Sequence, residues 1–186
     1  QVGRGSTFYI YLPVSRKGSL PDEEPDETIV SGNGTILIVD DEPDILETLQ
    51  ELLDMCIIDT APNFETAQKF LKNGTYDAAI LDIMGVDGYS LLELTNKKGI
   101  PTIMLTAHAL SAENLVKSLK GGAWSYLPKD QMADIGDYLV EVIQAGQRRA
   151  GTSRKWLDRL MPVFNKKFGP DWKAQHKKFW AEYDRK

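Results

Sequence analysis

Four short apolar runs in this chain each stop on a polar side chain, and that pattern limits the fold more than any other feature. Tyr76-Asp-Ala-Ala-Ile-Leu-Asp82 stops on a carboxylate. Upstream, Thr35-Ile-Leu-Ile-Val39 runs into Asp40, Asp41 and Glu42. Downstream, Pro101-Thr-Ile-Met-Leu105 stops on Thr106 and Ala107, and Trp124-Ser-Tyr-Leu-Pro128 stops on Lys129. Runs apolar on both faces, alternating with helical patterns, imply a parallel sheet covered on both sides. Its crossovers should be right-handed. In such a sheet the C-terminal strand ends form the ligand crevice. An acid pair, an acid, a hydroxyl and an amine then share one crevice. Three carboxylates there call for a hard divalent cation held by oxygen. A hydroxyl and an ammonium beside them suit the oxygens of a phosphoryl group.

The intervening segments predict five βα units. Strand 35–39 precedes a helix from about Pro43 to Met55, with Ile45, Leu46, Leu49, Leu52 and Leu53 on one face. Strand 56–60 precedes a helix near 63–73 that Gly74 stops. Strand 76–81 leads to a short helix near 88–97. Strand 101–105 leads to a helix from about Ser111 that Gly121 and Gly122 end. Strand 123–128 leads to a helix over about 131–149, apolar at Ile135, Leu139, Val142 and Ile143.

Before this body, residues 14–34 carry Pro21, Pro25 and an acidic run from Asp22 to Glu27, and predict a flexible acidic linker. After it, residues 150–186 predict a basic, aromatic-rich helical tail. The tail has one apolar stripe at Trp156, Leu157, Leu160, Met161, Phe164 and Phe168. A second runs through Trp172, His176, Phe179, Trp180 and Tyr183. Pro162 should kink or divide the first helix, and Gly169-Pro170 should separate the two. So much aromatic surface needs a partner: the body itself, a second copy, or another protein.

The net charge of −5 divides unevenly. Residues 147–186 hold twelve Lys/Arg and four Asp/Glu, a balance of +8, which leaves −13 for residues 1–146. Such a tail reads as a solvated helical face or one docked on its own acidic body, ahead of a nucleic-acid contact. Docking within the chain or between two copies is therefore the expected partner relation. The single cysteine, Cys56, excludes an internal disulfide framework, suits a reducing, cytoplasmic setting, and reads as a packing residue. No apolar run approaches the ~20 residues of a membrane helix. The chain starts at Gln1, which reads as a fragment of something longer.

The ordered set of strand-end residues resembles the receiver domain of two-component response regulators, over about residues 34–147. The resemblance implies a flavodoxin-like, doubly wound, five-stranded parallel sheet over 35–149. It implies Mg²⁺ held by Asp40, Asp41, Asp82 and the backbone carbonyl of Met84. It makes Asp82 the acceptor of a phosphoryl group from a phosphohistidine on a histidine kinase or phosphotransfer domain. Thr106 becomes the switch hydroxyl, Lys129 the phosphate-contacting lysine and Tyr126 the rotating aromatic. Slow hydrolysis would reset the site. The loop Asp82-Ile-Met-Gly-Val-Asp87-Gly88 is about two residues shorter than the family's usual pattern. Asp130 follows Lys129 where that pattern often has Pro, and could cap the last helix. Gly3-Arg-Gly-Ser-Thr-Phe-Tyr-Ile-Tyr-Leu-Pro13 looks like the closing segment of a histidine kinase ATPase domain, so residues 1–13 would be its remnant and the parent chain a hybrid histidine kinase.

Each residue also has a plainer reading. Asp40, Asp41 or Asp82 could cap helices, Thr106 could be an ordinary strand-end Thr, and Lys129 a surface Lys. Tyr126 could simply pack. His108 is read as an exposed loop His near the site mouth and His176 as structural. Two rival functions follow: a receiver-fold interaction module that is never phosphorylated, and an Asp-x-Asp phosphatase. Met84 stands where the phosphatase motif needs its second acid.

Overall fold

Each apolar run becomes a strand because its β-branched and aliphatic side chains fill both faces of a covered sheet. The computed structural model describes residues 34–107, 110–147 and 155–184. The strands are β1 (Thr35–Val39), β2 (Ile57–Ala61), β3 (Ala78–Asp82), β4 (Thr102–Thr106) and β5 (Ser125–Pro128). All pair in parallel, in the order β2-β1-β3-β4-β5. The helices are α1 (Pro43–Leu52), α2 (Phe64–Asn73), α3 (Gly88–Lys97), α4 (Ala112–Lys120) and α5 (Ile135–Gln147). Helices α1 and α5 touch each other, as do α2 and α3. This is the expected doubly wound α/β sheet. Its core takes in Ile36, Ile38, Ala79, Leu81, Ile103 and Leu105 from the central strands. The five βα units run from Thr35 to Gln147. The readings of residues 1–13 and 14–33, and of His108, lie outside the described residues.

Local chemistry sets the boundaries. Asn63 caps α2 by accepting from Thr66 N–H at 2.9 Å, and Ser111 caps α4 through Asn114 N–H at 3.1 Å. Three expectations need correction. The chain after β5 is not one helix from about 131: Lys129–Asp134 is a 3₁₀ segment, and α5 starts only at Ile135. Asp130 therefore sits in the first turn of the 3₁₀ segment rather than at the start of α5. Pro162 does not divide its helix, since α6 runs unbroken over Lys155–Phe168. The carbonyl left without its partner is that of Asp158, an exposed residue whose backbone water can satisfy. The second tail stripe is split between a 3₁₀ segment (Trp172–His176) and α7 (Lys177–Tyr183).

Gly169, at φ +87°, ends α6 in the left-handed conformation that glycine adopts without penalty. The tail then folds back on the body that precedes it. Phe164 is fully buried, its ring 6.3 Å from that of Tyr126 on β5. Phe168 stacks on Phe164 at 5.4 Å, and Trp172 meets both rings edge-on. Trp172 Nε1 donates to Asn165 Oδ1 at 2.9 Å. Arg159 lies over the Tyr138 ring at 4.2 Å and pairs with Glu141, both on α5. Of the three expected partners for the aromatic surface, the chain's own body receives it. Cys56 is half-buried against the core, as a packing residue should be.

Candidate functional site

The strand ends align because parallel pairing fixes their register. Val39 pairs with Leu81, Asp82 with Leu105, and Thr106 with Pro128. Asp40, Asp82, Thr106 and Lys129 therefore emerge at one level of the sheet. Strands β2 and β3 lie on opposite sides of β1 although they follow it in sequence, so the winding reverses beside β1 and β3. That reversal opens a crevice beyond their C-terminal ends.

Lys129 gathers the acids. The 3₁₀ turn after Pro128 folds its side chain inward, where it is only 8% exposed. Its Nζ lies 2.7 Å from Asp40 Oδ2, 2.8 Å from Glu42 Oε1 and 3.0 Å from Asp82 Oδ1. Asp40 is fully buried and Asp82 nearly so. Asp40 Oδ1 also accepts from Glu42 N–H at 3.0 Å, which ties the start of α1 to the site. The bond reaches the residue at the N-cap position and none of the N–H groups inside α1, so Asp40 is not the helix cap of the plainer reading, and its Oδ2 faces Lys129.

One ammonium does not compensate these carboxylates. Burial raises the Asp82 carboxyl above its ordinary value and the Asp40 charge adds to the rise, against Lys129 and the Met84 N–H. Burial likewise raises Asp40, again against Lys129. Burial by itself would lower the Lys129 ammonium, but its hydrogen bonds to Asp40, Glu42 and Asp82 outweigh this, so its proton is held tightly.

Asp41 stands apart from the ion-pair cluster but faces the same space. A cavity of about 190 Å³ is lined by Asp41, Glu42, Asp82, Met84, Gly85, Ala107 and Lys129. The short loop after Asp82 is built for close approach. A Cβ at Gly85 would lie 2.2 Å from Asp41 Oδ1, and one at Gly88 would lie 2.0 Å from the Asp82 carbonyl. Gly85 has φ +72° and Asp87 φ +53°, so two left-handed residues make the tight return into α3. The Met84 carbonyl accepts from Val86 N–H at 2.7 Å and retains a second lone pair.

Among the described residues, no three acidic side chains surround one point closely enough to hold an ion as they stand. Lys129 Nζ sits between Asp40 and Asp82. The donors nevertheless fit a hard divalent cation. Three carboxylates (Asp40, Glu42 and Asp82) share a single ammonium, and Asp41 and Met84 line the same cavity as Asp82.

Thr106 and Tyr126 complete the arrangement. Thr106 is 1% exposed, and among the described residues no well-aligned hydrogen bond reaches its Oγ1. The Tyr126 hydroxyl interacts with it and with the Ser111 backbone, although burial still pushes that phenol well above its ordinary value. Tyr126 is completely buried, under Phe164. His176 is half-buried on the tail's inner side, with Nε2 unpaired among the described residues. The structure thus brings Asp40, Asp82 and Lys129 into contact and puts Asp41 and Met84 on the same cavity. Thr106 and Tyr126 lie on its flank. Sequence reasoning missed Glu42 as a partner of Lys129. Its signal was the unbroken acid run Asp40-Asp41-Glu42, which reaches one residue beyond the pair that was read.

The family model described as the response regulator receiver domain matches residues 36–140. Among curated proteins, the heme response regulator HssR of Staphylococcus aureus (strain Newman) is 45% identical over 76 residues, covering 38% of this chain and 34% of that protein. The chain thus spans about a third of the length of the curated relatives it matches. Among solved structures, a CheY-like response regulator receiver domain protein from Methanospirillum hungatei JF-1 is 28% identical. It covers 62% of this chain and 98% of that one, with a TM-score of 0.58. The receiver domain of the Francisella response regulator 1452 is also 28% identical, covering 63% and 99%, with a TM-score of 0.54. The family match ends before the tail begins.

Proposed function

The chain belongs to the response regulator receiver domain family, and from that premise we propose that Asp82 accepts a phosphoryl group from a phosphohistidine in a two-component phosphorelay. An Asp82 carboxylate oxygen attacks phosphorus in line. The O–P bond forms as the donor's N–P bond breaks, and the bonding pair stays on the imidazole nitrogen, which takes a proton from solvent. Asp40, Asp41, Asp82 and the Met84 carbonyl would hold Mg²⁺, whose charge, when bound, neutralises the phosphoryl oxygens. Lys129 turns its ammonium from the carboxylates to a phosphoryl oxygen, and the Thr106 hydroxyl donates to another. Water attack on phosphorus later breaks the O–P bond, releases phosphate and restores the carboxylate.

The observation that carries this reading is the sharing of Lys129 by Asp40 and Asp82, at strand ends level with a buried Thr106 hydroxyl that lacks a well-aligned partner among the described residues. A structural ion pair would need one acid. This one has more acid than it can neutralise. In the parent chain the donor would be a histidine kinase or phosphotransfer domain. The likeness of residues 1–13 to a kinase ATPase terminus makes a hybrid histidine kinase our reading of that parent.

Labelling with a small phosphodonor such as acetyl phosphate tests the assignment. Wild type should acquire one phosphate that hydroxylamine removes, and only with Mg²⁺ present. Asp82→Asn should acquire none, because an amide is a poor nucleophile. Equal labelling of the variant would remove Asp82 from the mechanism. No labelling of wild type would favour a receiver fold used only as an interaction module.

A further inference from the structure

The docked tail brings to the phosphoryl site a lysine that lies outside the residues matched by the family model. Helix α6 lies along β5 and α5, with Phe164 against Tyr126 and Arg159 against Tyr138 and Glu141. Its last turn carries Lys166 and Lys167. Lys167 lines a cavity of about 160 Å³ together with Thr106, Ala107, Pro128, Lys129 and Asp130. Ala107 and Lys129 also line the acid cavity, so the two spaces adjoin. Lys167 therefore enters from the Thr106 side. Lys166, next to it and also exposed, does not line that cavity.

We propose that Lys167, carried to the rim by the docked tail, is a further cation for the phosphoryl group, so that phosphorylation of Asp82 and docking of the tail stabilise each other. This rests on Asp82 being the acceptor. A phosphoryl group brings about −1.5 to −2 charge to a site whose one buried ammonium is already shared. An exposed lysine on the open side of Thr106 is drawn toward that charge. Because Phe164 fixes α6 against Tyr126, the attraction is felt by the whole helix. Coupling between two events is reciprocal, so a tail that binds the charged site better must raise that site's affinity by the same factor.

The full chain tests this, with Mg²⁺ and beryllium fluoride as the phosphoryl mimic. In wild type, the mimic should slow amide exchange across residues 155–168. Lys167→Gln should weaken binding of the mimic about two- to fivefold, the range for an exposed charge, and lose the added protection of the tail. The difference should close as salt is raised to about 0.5 M, where screening is short. Lys166→Gln removes the same charge one residue away and should behave like wild type. Lys167→Arg should keep most of the effect. Equal affinity in Lys167→Gln and wild type would overturn the inference, as would an equal loss in Lys166→Gln or faster tail exchange in the presence of the mimic. Asp82 labelling separates the two levels: if wild type is labelled normally and Lys167→Gln binds the mimic equally well, only the Lys167 role falls. If wild type neither labels nor binds the mimic, the acceptor reading falls and takes this inference with it.

Discussion

Tyr126 and Lys129 are three residues apart on the same stretch of chain, yet they belong to opposite kinds of interior. Tyr126 is closed in by Phe164, one of a series of rings that runs on through Phe168, Trp172 and Trp180. The surroundings of Lys129 are carboxylates, with more negative charge than one ammonium can neutralise. The aromatic side is held by ring contacts and gains from being closed. The acidic side is held by the fold against its own repulsion, and so has affinity for cations and for a change of charge. Stability should therefore be concentrated in the aromatic region, and ligand responsiveness in the acidic one.

The sharpest way to break this comparison is Phe164→Ala. A fully buried phenylalanine at the centre of a ring cluster should cost about 3–5 kcal/mol when truncated, by the lost transfer term and the cavity left behind. Urea unfolding of the full chain measures it. A loss under about 1 kcal/mol would mean that the ring is not enclosed and that the aromatic side is not where stability lies.

Lys129→Met is next in size and probes the other side. Removing one partner of a buried ion pair leaves its carboxylates uncompensated, at a cost of about 3 kcal/mol. Here the loss should be recoverable, because a divalent cation can take the vacated charge. Mg²⁺ should raise the melting temperature of this variant more than that of wild type. It should do nothing comparable for Phe164→Ala. A loss in Lys129→Met that Mg²⁺ leaves untouched would show that the acids do not hold the metal.

The sequence made the two regions legible to different depths. The sheet and the strand-end residues were readable because parallel strands are short, apolar and stopped by polar side chains. Helix α3 came out at its expected bounds, since Gly88 opens it and Gly99 closes it. The tail's apolar stripes were readable from helical spacing, but spacing gives the face and not what the face meets. The seat on Tyr126 depends on contacts across the chain that no local pattern encodes. The contact of Lys129 with Glu42, 87 residues apart, is hidden for the same reason. The two 3₁₀ segments were read as α-helix because an apolar period over five or six residues cannot separate the two forms.

A smaller and opposite effect is expected from Asp82→Asn without divalent cations. Burial raises the Asp82 carboxyl in the folded protein above its unfolded value of 3.8. The folded state then binds the proton more tightly than the unfolded one, so stability is lost as pH rises through the folded value. At neutral pH the ionised carboxylate is a cost, and the amide removes it. The variant should be more stable than wild type at pH 7. The advantage should fade as pH falls toward 3.8, where wild type is protonated too. Melting curves across that range decide it. A variant less stable than wild type at pH 7 would mean that the Lys129 contact outweighs the repulsion, and that the acidic side is better satisfied than its geometry implies.

The smallest effect tests the border between the two kinds of interior. Arg159 joins the tail to α5 by both means: its guanidinium covers the Tyr138 ring at 4.2 Å, and it pairs with Glu141 and, at 3.9 Å, with Asp137. It is 39% exposed, so the charge contribution is screened. Arg159→Lys keeps the charge and loses the flat face and the fork. If the contact works by stacking, this variant should lose about 0.5–1 kcal/mol, and the loss should persist when salt is added. If it works by charge, Arg159→Lys should be nearly neutral, and only Arg159→Ala should show a loss, one that fades with salt. We expect stacking to dominate, because the ring contact is shielded beneath the guanidinium while Arg159 itself and Asp137 are reached by water. Chemical unfolding at low and high salt distinguishes the two. A neutral Arg159→Lys would extend the charged regime from the crevice onto the tail, and the two interiors would no longer be separate.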